Sequence, residues 1–180
     1  FHPVDTVRKN KDGEMEPYTT VDFRPGDESS TIDEIKAIMR DYPGEAMLVL
    51  THSQKFAEKA AIDLGGLPYT GKQSLAEKKE AERAFMAGEV KVLVGTDSIT
   101  EGLDGLQEVC RLAAIASRVW TGYKNEQFLG RTARRGQKRE VVAYEIVRRN
   151  TLDVGVISRI LQKTLDNNAA KAMQKKEEKK

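Results

Sequence analysis

The chain has 180 residues, of which 39% are apolar and 32% charged, with a formal net charge of +2. That length and composition suit one domain with a sizeable buried core, and no apolar run approaches the length of a membrane-spanning helix. Cys110 is the sole cysteine and His2 and His52 the only histidines, so neither a disulfide framework nor a structural zinc site is expected, no metal ligand is assigned, and the lone thiol fits a reducing, cytoplasmic setting.

Residues 171–180 hold five Lys and two Glu, which leaves the remainder of the chain slightly acidic. A nucleic-acid contact must therefore rest on local residues rather than on overall charge. The chain opens at Phe1 without a signal-like segment, which reads as a piece of a longer protein.

Residues 1–30 are polar, carry Pro3, Pro17 and Pro25, and read as a linker or domain-entry segment with one short strand near Tyr18–Phe23. Ser29 or Ser30 caps a helix with Ile32, Ile35, Ile38, Met39 and Tyr42 on one face, closed by Pro43-Gly44. Met47–Thr51 is a short apolar run and reads as a buried strand. Phe56, Ala57, Ala60, Ala61 and Leu64 have helical spacing, ended by Gly65-Gly66. Leu67–Thr70 reads as a strand and Ser74–Ala87 as a charged surface helix. Val90–Val94, Val109–Ala116 and Val141–Val147 are further strands, with a helix over Tyr123–Arg134 between the last two. Val156, Ile157, Ile160, Leu161 and Leu165 form a final apolar helix face, capped by Thr151, before a frayed, charged tail over 169–180. Strands alternating with helices predict an α/β fold with a mostly parallel sheet covered on both faces, in which Met47–Thr51, Val90–Val94 and Val141–Val147 are central. Sites in such sheets gather at the carboxyl ends of the strands, so Thr51 and Thr96 are expected on one edge.

Gly66–Lys72 matches most of the phosphate-binding pattern G-x-x-x-x-G-K-[ST], but Gln73 follows where a hydroxyl must ligate magnesium. A phosphate loop leaves a strand and enters a helix, whereas here a helix precedes the first glycine and a strand fills the loop. The match is read as coincidence.

The informative segment is Gln127–Gln137, QFLGRTARRGQ. On a helix, Gln127, Gly130, Arg131 and Arg134 fall at i, i+3, i+4 and i+7, one stripe carrying an amide and two guanidinium groups. A solvated basic helix is the bland alternative, but such a helix gains nothing from an interior Gly, which costs about 1 kcal/mol relative to Ala.

QFLGRTARRGQ resembles motif VI of superfamily 2 helicases, Q-x-x-G-R-x-x-R, and Arg135-Gly136-Gln137 is similar to the Swi/Snf-like or phage-type branch. Val92–Gln107, VLVGTDSITEGLDGLQ, resembles motif V: a buried strand, then Gly95-Thr96, then Gly102 and Asp104. Leu48–Ser53 resembles motif IV, and Tyr69-Thr70-Gly71 stands where the family places another backbone contact. The likeness runs from about Thr31 to Arg149 with the motifs in family order. Two departures leave the sub-branch open: Leu103-Asp104-Gly105 follows Gly102 where Swi/Snf-type proteins have Leu-Gly-Ile-Asn, and Thr132-Ala133 replaces Ala-His.

The resemblance implies a C-terminal RecA-like helicase domain over 31–168, a three-layer α/β/α fold with ATP as cofactor. Arg131 and Arg134 would be catalytic, reaching the γ-phosphate from an exposed helix face; arginine's planar fork suits phosphate oxygens. Gly102, Asp104, Gln127 and Gly130 would line the nucleotide, with Asp104 holding one arginine loosely until the ligand arrives. Thr51, His52, Gly71, Gly95 and Thr96 would contact a nucleic-acid backbone. For Thr96 a strand end followed by a capped turn remains the alternative, and for His52 a structural histidine. The chain has no true phosphate loop, Asp-Glu-x-His-type site or Ser-Ala-Thr motif. An N-terminal RecA-like domain is thus the implied partner, holding most of the Mg2+, and the chain alone is expected to be inactive. DNA is favoured over RNA by analogy, in a bacterial or phage-infected cytoplasm rather than a nucleus. A non-catalytic RecA-like binding or regulatory module is the alternative function. A dinucleotide-binding domain is not supported, because no G-x-G-x-x-G follows a strand.

Overall fold

Among the described residues the strands pair in two sheets. The computed structural model describes residues 2–9, 14–22, 27–101, 103–119 and 122–148, with 155, 158, 159 and 162. The final apolar helix positions, the charged tail and Gly102 lie outside the described residues. Contacts divide the chain into Phe1–Ser30 and Thr31–Lys180. The first unit, read from sequence as a linker with one strand, forms an antiparallel pair, β1 (His2–Lys9) with β2 (Met15–Asp22).

The second unit follows the alternation seen in the sequence. It runs α1 (Ser30–Asp41), β3 (Ala46–Leu50), α2 (Gln54–Asp63), β4 (Leu67–Tyr69), α3 (Leu75–Met86), β5 (Val92–Gly95), a 3-10 turn (Asp97–Thr100), α4 (Leu106–Val109), β6 (Cys110–Ile115), α5 (Gly122–Thr132) and β7 (Val142–Glu145). Helix starts are chemically marked. Ser53 accepts a hydrogen bond from Phe56 N at 3.2 Å, and Ser74 forms a reciprocal capping box with Glu77, each satisfying amides that a helix leaves open.

The five strands lie in the order β4-β5-β3-β6-β7, and every pairing is parallel. Side chains of successive strand residues point to opposite faces. Leu48, Leu50, Leu93, Ala113 and Ile115 share one cluster with Phe85 of α3, Leu106 of α4 and Phe128 of α5. Met47, Val49, Val92, Val94, Leu112 and Ala114 alternate with them and are buried as well. The helices α1 and α2 bury Ile32, Ile35, Ile38, Phe56, Ala57 and Ala60, and α2 lies against β4 and β5. The result is the three-layer α/β/α RecA-like arrangement. Each fully buried Leu contributes about 1.5–3 kcal/mol, so this two-sided burial is what holds the sheet.

One strand differs from expectation. Among the described residues Val142–Glu145 is an edge strand paired only to β6, and its residues alternate between half-buried and exposed. The Lys138-Arg139-Glu140 approach and the polar faces of Tyr144 and Glu145 suit an edge, which needs burial on one side only.

At the amino ends of the strands, Glu45 accepts from Arg111 Nε at 3.2 Å and from Arg139 Nη1 at 2.8 Å. Desolvation works against the Glu45 carboxylate, yet hydrogen bonds from Arg111 and Arg139 hold its pKa below the ordinary value. Nearby, burial pushes the Cys110 thiol up to about 12, and its Sγ donates to Ala46 O at 3.1 Å, so this cysteine is a packing residue.

Gly95 closes β5 in a place with no room for a side chain. A Cβ there would stand 2.7 Å from Ile99 Cβ and 2.8 Å from Tyr69 O. Gly95→Ala is therefore expected to destabilise the domain by about 1–3 kcal/mol through overpacking. Chemical denaturation checks this; an unchanged midpoint would show that the 3-10 turn yields freely.

Candidate functional site

The parallel register sets the ends of three strands side by side. Leu50 pairs with Gly95 on one flank and with Ile115 on the other, so the residues that follow emerge together at one edge. Thr51 N donates to Gly95 O at 2.9 Å, and Ala116 N to Leu50 O at 2.8 Å. Thr51 and Thr96 thus leave neighbouring strands at the same level, as the sequence reading expected.

Their side chains are not alike in placement. Thr51 is 1% exposed and Thr96 4% exposed, while His52 is exposed. Thr96 was expected to face outward toward a strand backbone. Its side chain instead turns inward, and its Oγ1 is buried without a hydrogen-bond partner. Such an atom costs about 1–3 kcal/mol and marks a place where packing alone has not settled the chemistry. Its backbone amide donates to Tyr69 O at 3.3 Å, so neither donor of Thr96 is directed to solvent. Gly71 lies exposed in the turn after β4, where a Cβ would stand 3.1 Å from Gln54 Nε2. Gly95 has the packing role given above.

The partial phosphate-loop match is explained by geometry. Leu67–Tyr69 is a strand, and Gln73 Oε1 accepts from Thr70 N at 2.6 Å and from Thr70 Oγ1 at 2.8 Å. Gln73 thereby ties down the turn that carries Gly71, and Lys72 pairs with Glu58 at 2.9 Å.

The arginines stand on the other part of the site. The segment after β5 must travel from the carboxyl end of that strand to the amino end of β6, and the arginine contacts fall along it. Arg131, in the last turn of α5, donates through Nη1 to Leu103 O at 2.5 Å and through Nη2 to Thr100 O. Arg134 Nη1 pairs with Asp104 Oδ1, with the arginine side chain 47% and the aspartate 80% exposed. The pair is monodentate, so most of the Arg134 fork stays available to another acceptor. Lys124, earlier on α5, pairs with Asp97 at 2.6 Å; that hydrogen bond holds its ammonium above the ordinary value and ties the 3-10 turn to the helix.

Two features depart from the expected single exposed stripe. Helix α5 ends at Thr132, so Arg134 lies two residues beyond it. Thr132 is fully buried and its Oγ1 bonds Leu129 O at 3.1 Å, while Gly136 takes φ +102°. The side chain of Gln137 then donates to Cys110 O at 3.0 Å and Thr132 O at 3.4 Å, fastening the turn to the start of β6. Gly136 and Gln137 thus have a structural use in this chain. Second, Arg131 is half-buried rather than solvent-facing, because two carbonyls already take its donors. Gln127 is half-buried on α5, and a Cβ at Gly130 would meet nothing within 4 Å. That glycine leaves open space beside Arg131, which fits a ligand or partner coming from outside the chain.

Sequence reasoning missed Ser117. Its Oγ lies 2.9 Å from Thr51 Oγ1 and 2.8 Å from His52 Nδ1. A signal was present: Thr51, Thr96 and Ser117 are the hydroxyl residues just past three apolar runs.

The different settings of the two arginines give different stability costs. Arg131→Ala strips two carbonyls of a charge-assisted donor, a loss of about 2–3 kcal/mol. For a domain of this size that is a fall of about 4–10 °C in Tm. Arg134→Ala breaks an exposed pair worth at most about 1 kcal/mol and leaves Tm nearly unchanged. Equal Tm losses in the two variants would contradict the geometry.

Comparison with known proteins agrees with the fold. The helicase conserved C-terminal domain matches residues 30–136, which is more than half of the chain. No curated protein matches. Among solved structures, the C-terminal part of the Fun30 ATPase domain aligns with TM-score 0.62 at 15% identity, over 73% of this chain and 45% of that one. A DEAD box protein from the hyperthermophile Methanococcus jannaschii aligns with TM-score 0.60 at 18% identity, over 73% and 36%. The Pyrococcus furiosus Hef helicase domain aligns with TM-score 0.57 at 23% identity, over 73% and 28%. The chain spans less than half the length of each. The chain belongs to the helicase conserved C-terminal domain family.

Proposed function

We propose that this chain is the second half of an ATP-driven nucleic-acid helicase or translocase, supplying arginine fingers to a nucleotide held mainly by an N-terminal RecA-like domain. The observation that carries the reading is the convergence of Arg131 and Arg134 on Thr100, Leu103 and Asp104, with Arg134 exposed and held through one nitrogen by Asp104. Bound ATP would supply a γ-phosphoryl group whose negative charge is spread over three equatorial oxygens while the electron pair of the breaking bond passes to the leaving oxygen. Arg134 exchanges the Asp104 carboxylate for those oxygens, a trade between two anions that costs little at an exposed site. Arg131 makes the same move by giving up the Thr100 and Leu103 carbonyls. Gln127 and Gly130 border the approach, and magnesium is assigned to the N-terminal domain. Fingers of this kind supply roughly 10³–10⁵ in rate in well-studied phosphoryl-transfer sites.

On the nucleic-acid side, the edge formed by the ends of β3 and β5, where His52 is exposed, meets backbone phosphates without reading sequence, and the binding weakens with salt. DNA is the preferred strand by resemblance alone, since Gly136 and Gln137 are accounted for within the fold.

The chain by itself should hydrolyse no ATP above background. Joined to its N-terminal domain, it should turn over ATP with stimulation by nucleic acid, and Arg131→Lys or Arg134→Lys should cut kcat at least tenfold while nucleotide affinity moves far less, because Lys keeps the charge and loses the fork. Steady-state kinetics with duplex DNA and with RNA check both the fingers and the preferred strand. Wild-type kcat in both variants would remove the finger assignment. Wild-type protein that binds nucleic acid but never hydrolyses ATP would favour a non-catalytic module.

A further inference from the structure

Ser117 stands at the point in the sheet where the connections part. From β3 the chain passes to α2 and β4, toward one edge, and from the adjacent β6 it passes to α5 and β7, toward the other. Sites in open α/β sheets form at such switch points, beyond the carboxyl ends of the strands. Here that position holds Thr51, His52 and Ser117.

The hydrogen bonds among these three residues determine where the protons sit. Ser117 Oγ is 3.1 Å from His52 N, 2.8 Å from His52 Nδ1 and 2.9 Å from Thr51 Oγ1. A hydroxyl has one proton and two lone pairs. The His52 amide must donate, so it takes one lone pair. The remaining lone pair and the single proton are divided between Thr51 and His52. Thr51 Oγ1 already accepts from Ser53 N at 3.4 Å. If Ser117 donated to Thr51, the Thr51 hydroxyl proton would have no acceptor, in a residue 1% exposed, and that is costly. If Thr51 donates to Ser117, and Ser117 to His52 Nδ1, both hydroxyl protons have an acceptor. In its neutral form His52 then carries its proton on Nε2, which has no partner within the described residues.

We propose that Ser117 is a positioning residue that holds exposed His52 with its Nε2–H presented as a hydrogen-bond donor to a phosphate oxygen of a nucleic-acid backbone. The proposal rests on the nucleic-acid reading above and adds to it the contacting atom and the residue that sets it. Other cations at this edge are engaged: Arg118 pairs with Glu145 and Lys124 with Asp97. A neutral donor held in place by buried hydroxyls is a different contact from a mobile charge. It should contribute little to the salt dependence of binding and more to its geometry.

Nitrogen-15 spectra of the imidazole rings, with His52→Gln used to distinguish His52 from His2, read the tautomer directly above the imidazole titration range. The expected result is Nδ1 as unprotonated acceptor and Nε2 as protonated donor; a predominant Nδ1–H form overturns the proposal. Binding is then measured by anisotropy with fluorescein-labelled oligothymidylate and oligouridylate. Ser117→Ala should weaken binding about three- to tenfold, the loss of one well-placed hydrogen bond. Ser117→Thr, which keeps the hydroxyl, should bind as the wild type does, and the salt slope should be the same in all three proteins. Wild-type affinity in Ser117→Ala overturns the positioning role and leaves the nucleic-acid reading standing. A wild-type chain that binds neither oligonucleotide overturns both.

Discussion

The guanidinium of Arg131, set between the carbonyls of Thr100 and Leu103, joins the two parts of the candidate site. The segment it grips starts at Thr96, beside the strand end that carries Thr51, and reaches Asp104, beside Arg134. A loop of this kind has carbonyls with no partner in a helix or sheet, and buried carbonyls must be satisfied. Arginine, with five donors in a fixed fork, satisfies two of them at once from a helix more than two dozen residues away in sequence. Drawing that fork onto a phosphate would release the same segment. On the proposed reading, occupancy of the nucleotide side would bear on the segment from Asp97 to Glu101 through a named contact, which is what a physical account of coupling requires.

This contact works only because the sheet is built as it is. The register at the carboxyl ends of the parallel strands brings Thr51 and Thr96 to one level with Ser117 one residue beyond, and burial on both faces of the sheet keeps them there. Gly95 lets the 3-10 turn fold directly against the end of β5. Lys124 pins the other side of the turn through Asp97, and Gln137 fastens the end of α5 to Cys110 at the base of β6. Polar contacts thus hold the crossover between β5 and β6 at its start, middle and end, while Arg134 and Asp104 remain exposed along it.

The fold was legible in the sequence because its strands are short, continuous apolar runs, the pattern of a sheet buried on both sides. Val142–Glu145 was placed too centrally because its run of branched residues looks the same in sequence as a buried strand; only the pairing shows that it has one neighbour. The pairing of residues 2–9 with 15–22 was obscured by Pro3 and Pro17, which weaken a strand reading yet are tolerated in a two-stranded ribbon. Helical spacing placed Arg131 and Arg134 on one stripe, but periodicity holds only while the helix lasts, and the buried Thr132 with the turn at Gly136 ends it first. The carbonyls that Arg131 grips were invisible because they depend on backbone positions brought together by the sheet rather than on any local motif, and Ser117 was marked only as a hydroxyl residue just past an apolar run.

Amide hydrogen exchange tests the central contact most directly. The amides of Ile99 and Glu101 close the 3-10 turn onto Thr96 and Ser98, within the segment that Arg131 holds. Replacing Arg131 by Lys should speed their exchange about tenfold or more while core amides such as those of Leu48 and Leu93 stay protected. Unchanged exchange at Ile99 and Glu101 would mean that the segment keeps its shape without the guanidinium, and the proposed link between the two parts of the site would fail.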